Sequence, residues 1–162
     1  MMKKLLQRAA LVLLVVFVAI QFIRPEKNVS HAEQPNDIAA RFSIPDDIRA
    51  ILRTSCYDCH SNTTRYPWYA EIQPMGWWLN SHITEGKKHL NFSEFGARPL
   101  NWQLRKLEEI AEVVREGEMP LPSYLVVHRD AALSSQQKER LISWSDELRQ
   151  RLSAHQQKET PE

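Results

Sequence analysis

Cys56-Tyr57-Asp58-Cys59-His60 reads C-x-x-C-H and contains both cysteines of the 162-residue chain. Thiols at positions i and i+3 stand one helical turn apart, a spacing that suits addition to the two vinyl groups on one edge of a porphyrin. The histidine that follows can turn its imidazole under the ring toward the iron. Other uses of C-x-x-C fit less well. A thioredoxin-like dithiol opens a helix after a strand, whereas a helix-like segment precedes this motif and no βαβ pattern is visible. A zinc knuckle wants two separated ligand pairs, and there is no second cysteine pair. A disulfide across so few residues would constrain almost no chain.

Upstream, Ser43-Ile44-Pro45-Asp46 carries the chemistry of a helix start: a capping hydroxyl, an early proline and acids in the first turn. Ile48, Ile51 and Leu52 follow at helical spacing. Continued by fours, Ile48, Leu52, Cys56 and His60 predict one helix face that carries the apolar stripe and the motif together.

Downstream, Arg65-Tyr66-Pro67-Trp68-Tyr69 predicts a packed aromatic loop, and Met75 to Lys88 a helix carrying Trp77, Trp78, His82 and Ile83. Trp102 to Glu116 is the clearest helix: Leu104, Leu107, Ala111 and Val114 keep helical spacing, with Gly117 placed to end it. Ser134 and Gln137 form an S-x-x-Q capping box before a last helix striped by Leu141, Trp144, Leu148 and Leu152. No segment alternates as a strand does, so the domain is predicted to be all-α over residues 43–152.

Charge is unevenly distributed. The 21 basic residues include Lys3, Lys4, Arg8 and Arg24 in an opening stretch without acids, which leaves the remainder of the chain at −3. No basic stripe marks a nucleic-acid surface. The basic start precedes twelve apolar residues, Ala9 to Ile20, with no convincing small-x-small cleavage site after them. Residues 1–24 are therefore expected to be an uncleaved signal anchor, a transmembrane helix contacting the lipid bilayer. The positive-inside rule then puts the rest outside the cytoplasm. Residues 25–42, polar and proline-containing, are expected to be a flexible tether, and residues 153–162 a frayed polar tail.

Past the motif, the chain resembles a family of bacterial haem-binding domains. The resemblance runs through Cys56 to Asn62, Tyr66-Pro67-Trp68-Tyr69, His89-Leu90-Asn91-Phe92-Ser93-Glu94, Gly117-Glu118-Met119-Pro120 and Trp144. It covers about residues 45–150 and implies an exported, cytochrome-c-like helical domain around one covalent haem c. It supplies no pathway.

On this reading Cys56 and Cys59 are the thioether positions and His60 the proximal iron ligand. Met119, in a loop pinned by Pro120 and Pro122, is the candidate for the opposite position; it lies 59 residues after His60, as in small class I cytochromes. His82 is the principal rival, and His89 and His128 are others. Arg65, Tyr66 and Trp68 are candidate contacts of the haem propionates or wall. No catalytic residues stand out. The expected function is single-electron transfer with redox partner proteins at the inner membrane, the haem domain facing the periplasm. The alternative is a peroxidase-like enzyme or a sensor with an open axial position.

Overall fold

Hydrophobic spacing of three and four residues recurs along most of the chain, and the computed structural model is correspondingly helical throughout. It describes residues 1–159. In chain order the helices are α1 (Met2–Ile20), α2 (Ile38–Arg41), α3 (Asp46–Ser55), α4 (Tyr57–His60), α5 (Met75–His89), α6 (Leu100–Glu116), α7 (Pro122–Leu125) and α8 (Ser135–Glu159). Short 3-10 segments occupy Trp68–Glu71, Phe92–Ala97 and Arg129–Ala131. Among the described residues no strand forms, although an isolated antiparallel bridge joins Val29 to Thr63.

The long α6 and α8 pack against each other and make the main wall of the core. Leu107, Ile110, Ala111 and Val114 face Leu141, Trp144 and Leu148, all buried. Ile48, Ile51 and Leu52 of α3, with Phe92 and Phe95, close the same cluster. Each such side chain contributes about 1.5–3 kcal/mol when fully buried, so this cluster fixes where α3 ends and hence where the motif begins. The predicted capping box is present: Gln137 N donates to Ser134 Oγ at 3.2 Å, and Ser134 N donates to Gln137 Oε1 at 2.9 Å.

Four expectations need correction. Residues 25–42 are no loose tether. Ile38 is fully buried in the core, and the Asn28 side chain donates to Ser61 O and to Thr64 Oγ1, both at 2.9 Å. A mostly polar stretch is thus held by one apolar anchor and side-chain hydrogen bonds. Second, no single helix runs from Ile48 through His60: the chain breaks at Cys56, whose φ of −129° lies outside helical range. Third, the helix preceding the motif is capped at Pro45 rather than Ser43. Finally, α8 continues to Glu159, so most of the expected frayed tail is helical; its last residues, 160–162, lie outside the described residues. As for the expected anchor, α1 buries none of its residues. Lys3, Lys4 and Arg8 lie within its 19 residues, and no described helix is long and apolar enough to cross a membrane.

Candidate functional site

The break at Cys56 starts the site. α3 delivers the chain into the core and stops; the Cys56 carbonyl then accepts from Cys59 N at 3.2 Å and His60 N at 2.9 Å. This closes the one-turn helix α4, which holds the motif. The turn rests on α5 at Gly86, where a Cβ would stand 2.8 Å from the Cys59 carbonyl oxygen and 3.2 Å from its Cβ. Only a residue without a side chain permits that approach.

Hydrogen bonds from the segments after the motif hold it in place. Thr64 Oγ1 donates to Asp58 O at 2.6 Å, Asn62 N donates to Ser93 Oγ at 3.1 Å, and Asn91 Nδ2 donates to Asn62 Oδ1 at 2.8 Å. The stretches Ser61-Asn62 and Asn91-Phe92-Ser93, remote in sequence, are therefore one scaffold.

His60 is oriented by the backbone. Its Nδ1 lies 3.0 Å from the Leu90 carbonyl oxygen. A carbonyl only accepts, so Nδ1 carries the proton and Nε2 keeps a free lone pair. Burial holds the imidazole below its usual pKa, against smaller opposing effects from backbone hydrogen bonding. Burial, the larger influence, favours the neutral form, and the Leu90 contact fixes which nitrogen is free to bind a metal.

Two adjoining cavities, of about 190 and 220 Å³, open beside this ring. Neither alone reaches the roughly 300 Å³ of a small ligand site. They share Ser55, Cys56, His60, His89, Met119 and Pro120 as lining, however, and so form one cleft. Cys59 and His82 line the first part only. Phe92, Ile110, Val113, Val114 and Leu141 make the second part apolar.

Met119 reaches the cleft through the end of α6. Gly117 takes the left-handed conformation with φ 77°. Glu118 N and Met119 N both donate to Val113 O, at 2.9 and 3.2 Å, which turns the chain back over the helix end.

A C-x-x-C-H turn, a histidine nitrogen held free and a thioether together in one largely apolar cleft form a donor set suited to an iron porphyrin. Over residues 15–147 the sequence matches the family described as haem-binding domain. The chain belongs to that family. Comparison with curated proteins and with solved structures finds no match. The family match begins within α1 and includes all of residues 25–42, in keeping with the packing of that stretch into the domain.

The residues of this haem-binding domain fit the group. The apolar second part of the cleft suits a flat macrocycle, and His60 and Met119 offer nitrogen and sulfur donors. His82 is also present, its Nδ1 2.8 Å from the Trp78 carbonyl one turn back and its ring 4.3 Å from that indole. His128 lies elsewhere, stacked on Tyr124 at 4.1 Å with its Nε2 2.6 Å from the Tyr69 hydroxyl.

Arg65, Tyr66 and Trp68, expected at the propionates or wall, do not line the cleft. Arg65 is spent on Asp58, with Nε and Nη2 donating to its two carboxylate oxygens at 3.1 and 3.0 Å. The Tyr66 hydroxyl accepts from Asn28 N at 2.7 Å, and Trp68 points to solvent.

In their place the cleft is lined by polar residues that the sequence did not single out. Tyr124 donates to Asp58 Oδ2 at 3.1 Å. Lys106, paired with Glu109, lines the apolar part. Neither carries a motif signal: Lys106 is one of several basic residues on α6 and α8, and Tyr124 sits in the one-turn helix α7.

Burial pushes the Cys56 thiol up to about 12 and that of Cys59 to about 11, and the two are unpaired. A redox-active dithiol needs a lowered pKa, so this environment runs against that chemistry.

Proposed function

We propose that this protein is a membrane-attached, single-haem, c-type cytochrome-like electron carrier. Cys56 and Cys59 would hold the haem by thioether bonds, and His60 Nε2 and Met119 Sδ would be its iron donors. The group supplies one-electron Fe(II)/Fe(III) exchange. The chain supplies an apolar cleft, a fixed imidazole and a sulfur donor that raises the potential. The observation carrying this reading is that both thiols, His60 and Met119 line one cleft. Met119 is favoured over His82 because it borders both parts of the cleft, whereas His82 borders one.

We also propose that α1 anchors the protein to a membrane. Its support is an apolar surface exposed along nearly the whole helix, from Leu5 to Val18, with Lys3, Lys4 and Arg8 placed to stay at head-group level. The haem domain then lies on the periplasmic side of the inner membrane, where its redox partner proteins would meet it.

A second reading has its own observation: His82 and Glu85 line the cleft beside His60, as an acid–base residue beside an open iron would in a haem enzyme or sensor. Spectra separate the two. With Met119 bound, the wild type is low-spin, and Met119→Ala opens the iron to carbon monoxide and lowers the potential, while His82→Ala is nearly silent. A high-spin wild type supports the enzyme or sensor reading. A high-spin His82→Ala beside an unchanged Met119→Ala makes His82 the ligand.

A further inference from the structure

The Tyr66-Pro67-Trp68-Tyr69 stretch takes no part in the cleft, and its tryptophan is 77% exposed. That is unusual, because tryptophan is highly buried on average. Where α1 meets the domain, Phe22 at 83%, Ile23 at 63%, Met75 at 41% and Ile72 at 40% exposure form an apolar collar, and Trp68 opens the short 3-10 segment that leads into Ile72. We propose that this collar is a lipid-facing surface that seats the haem domain on the bilayer in a fixed orientation. The proposal rests on the anchoring of α1 and goes beyond it.

The end of α1 is joined to the domain by specific bonds. Gln73 N donates to Gln21 Oε1 at 2.9 Å, and Gln21 Nε2 donates to Gln73 O at 3.2 Å. Trp77 Nε1 donates to Ile23 O at 2.7 Å. These clamps bring Phe22 and Ile23 beside Ile72 and Met75, so the exposed surface of α1 continues into the domain without a hinge. A flexible linker would leave the domain free to tumble; this joint does not.

The charges of the collar suit the polar edge of a membrane. Glu71 is bound by Arg24 at 2.6 Å and also by Lys27, so its carboxylate meets the head groups compensated by two cations. Tryptophan with an apolar body and a polar N–H prefers that depth. A protein-docking surface would also expose apolar residues, but continuity with α1 favours lipid.

Photocrosslinking of the full-length, haem-loaded protein tests the proposal. p-Benzoylphenylalanine is installed by codon suppression at position 17 on α1, at position 68 on the 3-10 segment that leads into the collar, or at position 105 on the exposed face of α6. The proteins are irradiated in phosphatidylethanolamine–phosphatidylglycerol vesicles and in native membranes, and the adducts are identified by mass. Retained haem spectra confirm that each variant is folded. The proposal requires lipid adducts at 17 and 68 and none at 105. Lipid at 17 without lipid at 68 overturns the collar and leaves the anchor standing. Lipid at neither position overturns the anchor and the collar with it. A polypeptide adduct at 68 makes the patch a protein-docking surface and also overturns the proposal.

Discussion

His60 Nδ1 lies 3.0 Å from the carbonyl oxygen of Leu90, so the tautomer of this ring is set by main chain that no side-chain substitution can remove. The sign of the pH effect follows. Burial depresses the folded-state pKa of this base, and the unfolded chain keeps the ordinary value near 6.5. Protons therefore favour the unfolded state: stability from this group is complete above that value and is lost as pH falls through it. In the haem-free protein, an NMR titration should place the His60 midpoint below 6.5, with Nδ1 protonated. A midpoint above that value, or a proton on Nε2, contradicts the geometry.

Gly86→Ala sets two effects of opposite sign against each other. In an exposed helix, alanine is favoured over glycine by about 1 kcal/mol. Here the added Cβ meets the Cys59 carbonyl oxygen at 2.8 Å, and overpacking of that kind costs about 1–3 kcal/mol. The clash should win, because its partner is backbone. Thermal unfolding should show a destabilised variant that incorporates haem poorly; a stabilised one would mean that α4 and α5 do not approach so closely.

Ile38→Ala distinguishes a packed segment from a tether. Ile38 is fully buried, so its truncation should cost about 2–5 kcal/mol, read as a lowered midpoint in urea unfolding. In a tether the same change would fall within about 0.5 kcal/mol of zero.

The two thiols should be slow to alkylate in the folded, haem-free protein. With Cys56 pushed up to about 12 and Cys59 to about 11, the thiolate fraction at pH 8 falls by roughly two orders of magnitude or more from that of a free cysteine. Iodoacetamide labelling should accelerate sharply on denaturation. Equal rates in both states would show the thiols to be open to water.

The parts legible in the sequence were those whose signals are local. The stripes of α6 and α8, Gly117 and the Ser134–Gln137 box all act within a few residues of themselves. The break at Cys56 was not legible, because Ile48, Leu52, Cys56 and His60 keep helical spacing across it and neither glycine nor proline marks it. The packing of residues 25–42 was hidden by composition. A single buried Ile38 and the amide of Asn28 hold a stretch that otherwise reads as solvated. In the site, Met119 could be found from its punctuation. Arg65 misled, because the nearby Asp58 that binds it is an equally good partner for a guanidinium.

The intact mass of the denatured protein, produced with a c-type maturation system, tests the central claim most directly. Covalent attachment through Cys56 and Cys59 predicts a polypeptide heavier by one haem, with neither cysteine available to alkylation. A polypeptide of bare mass with both thiols free would contradict it.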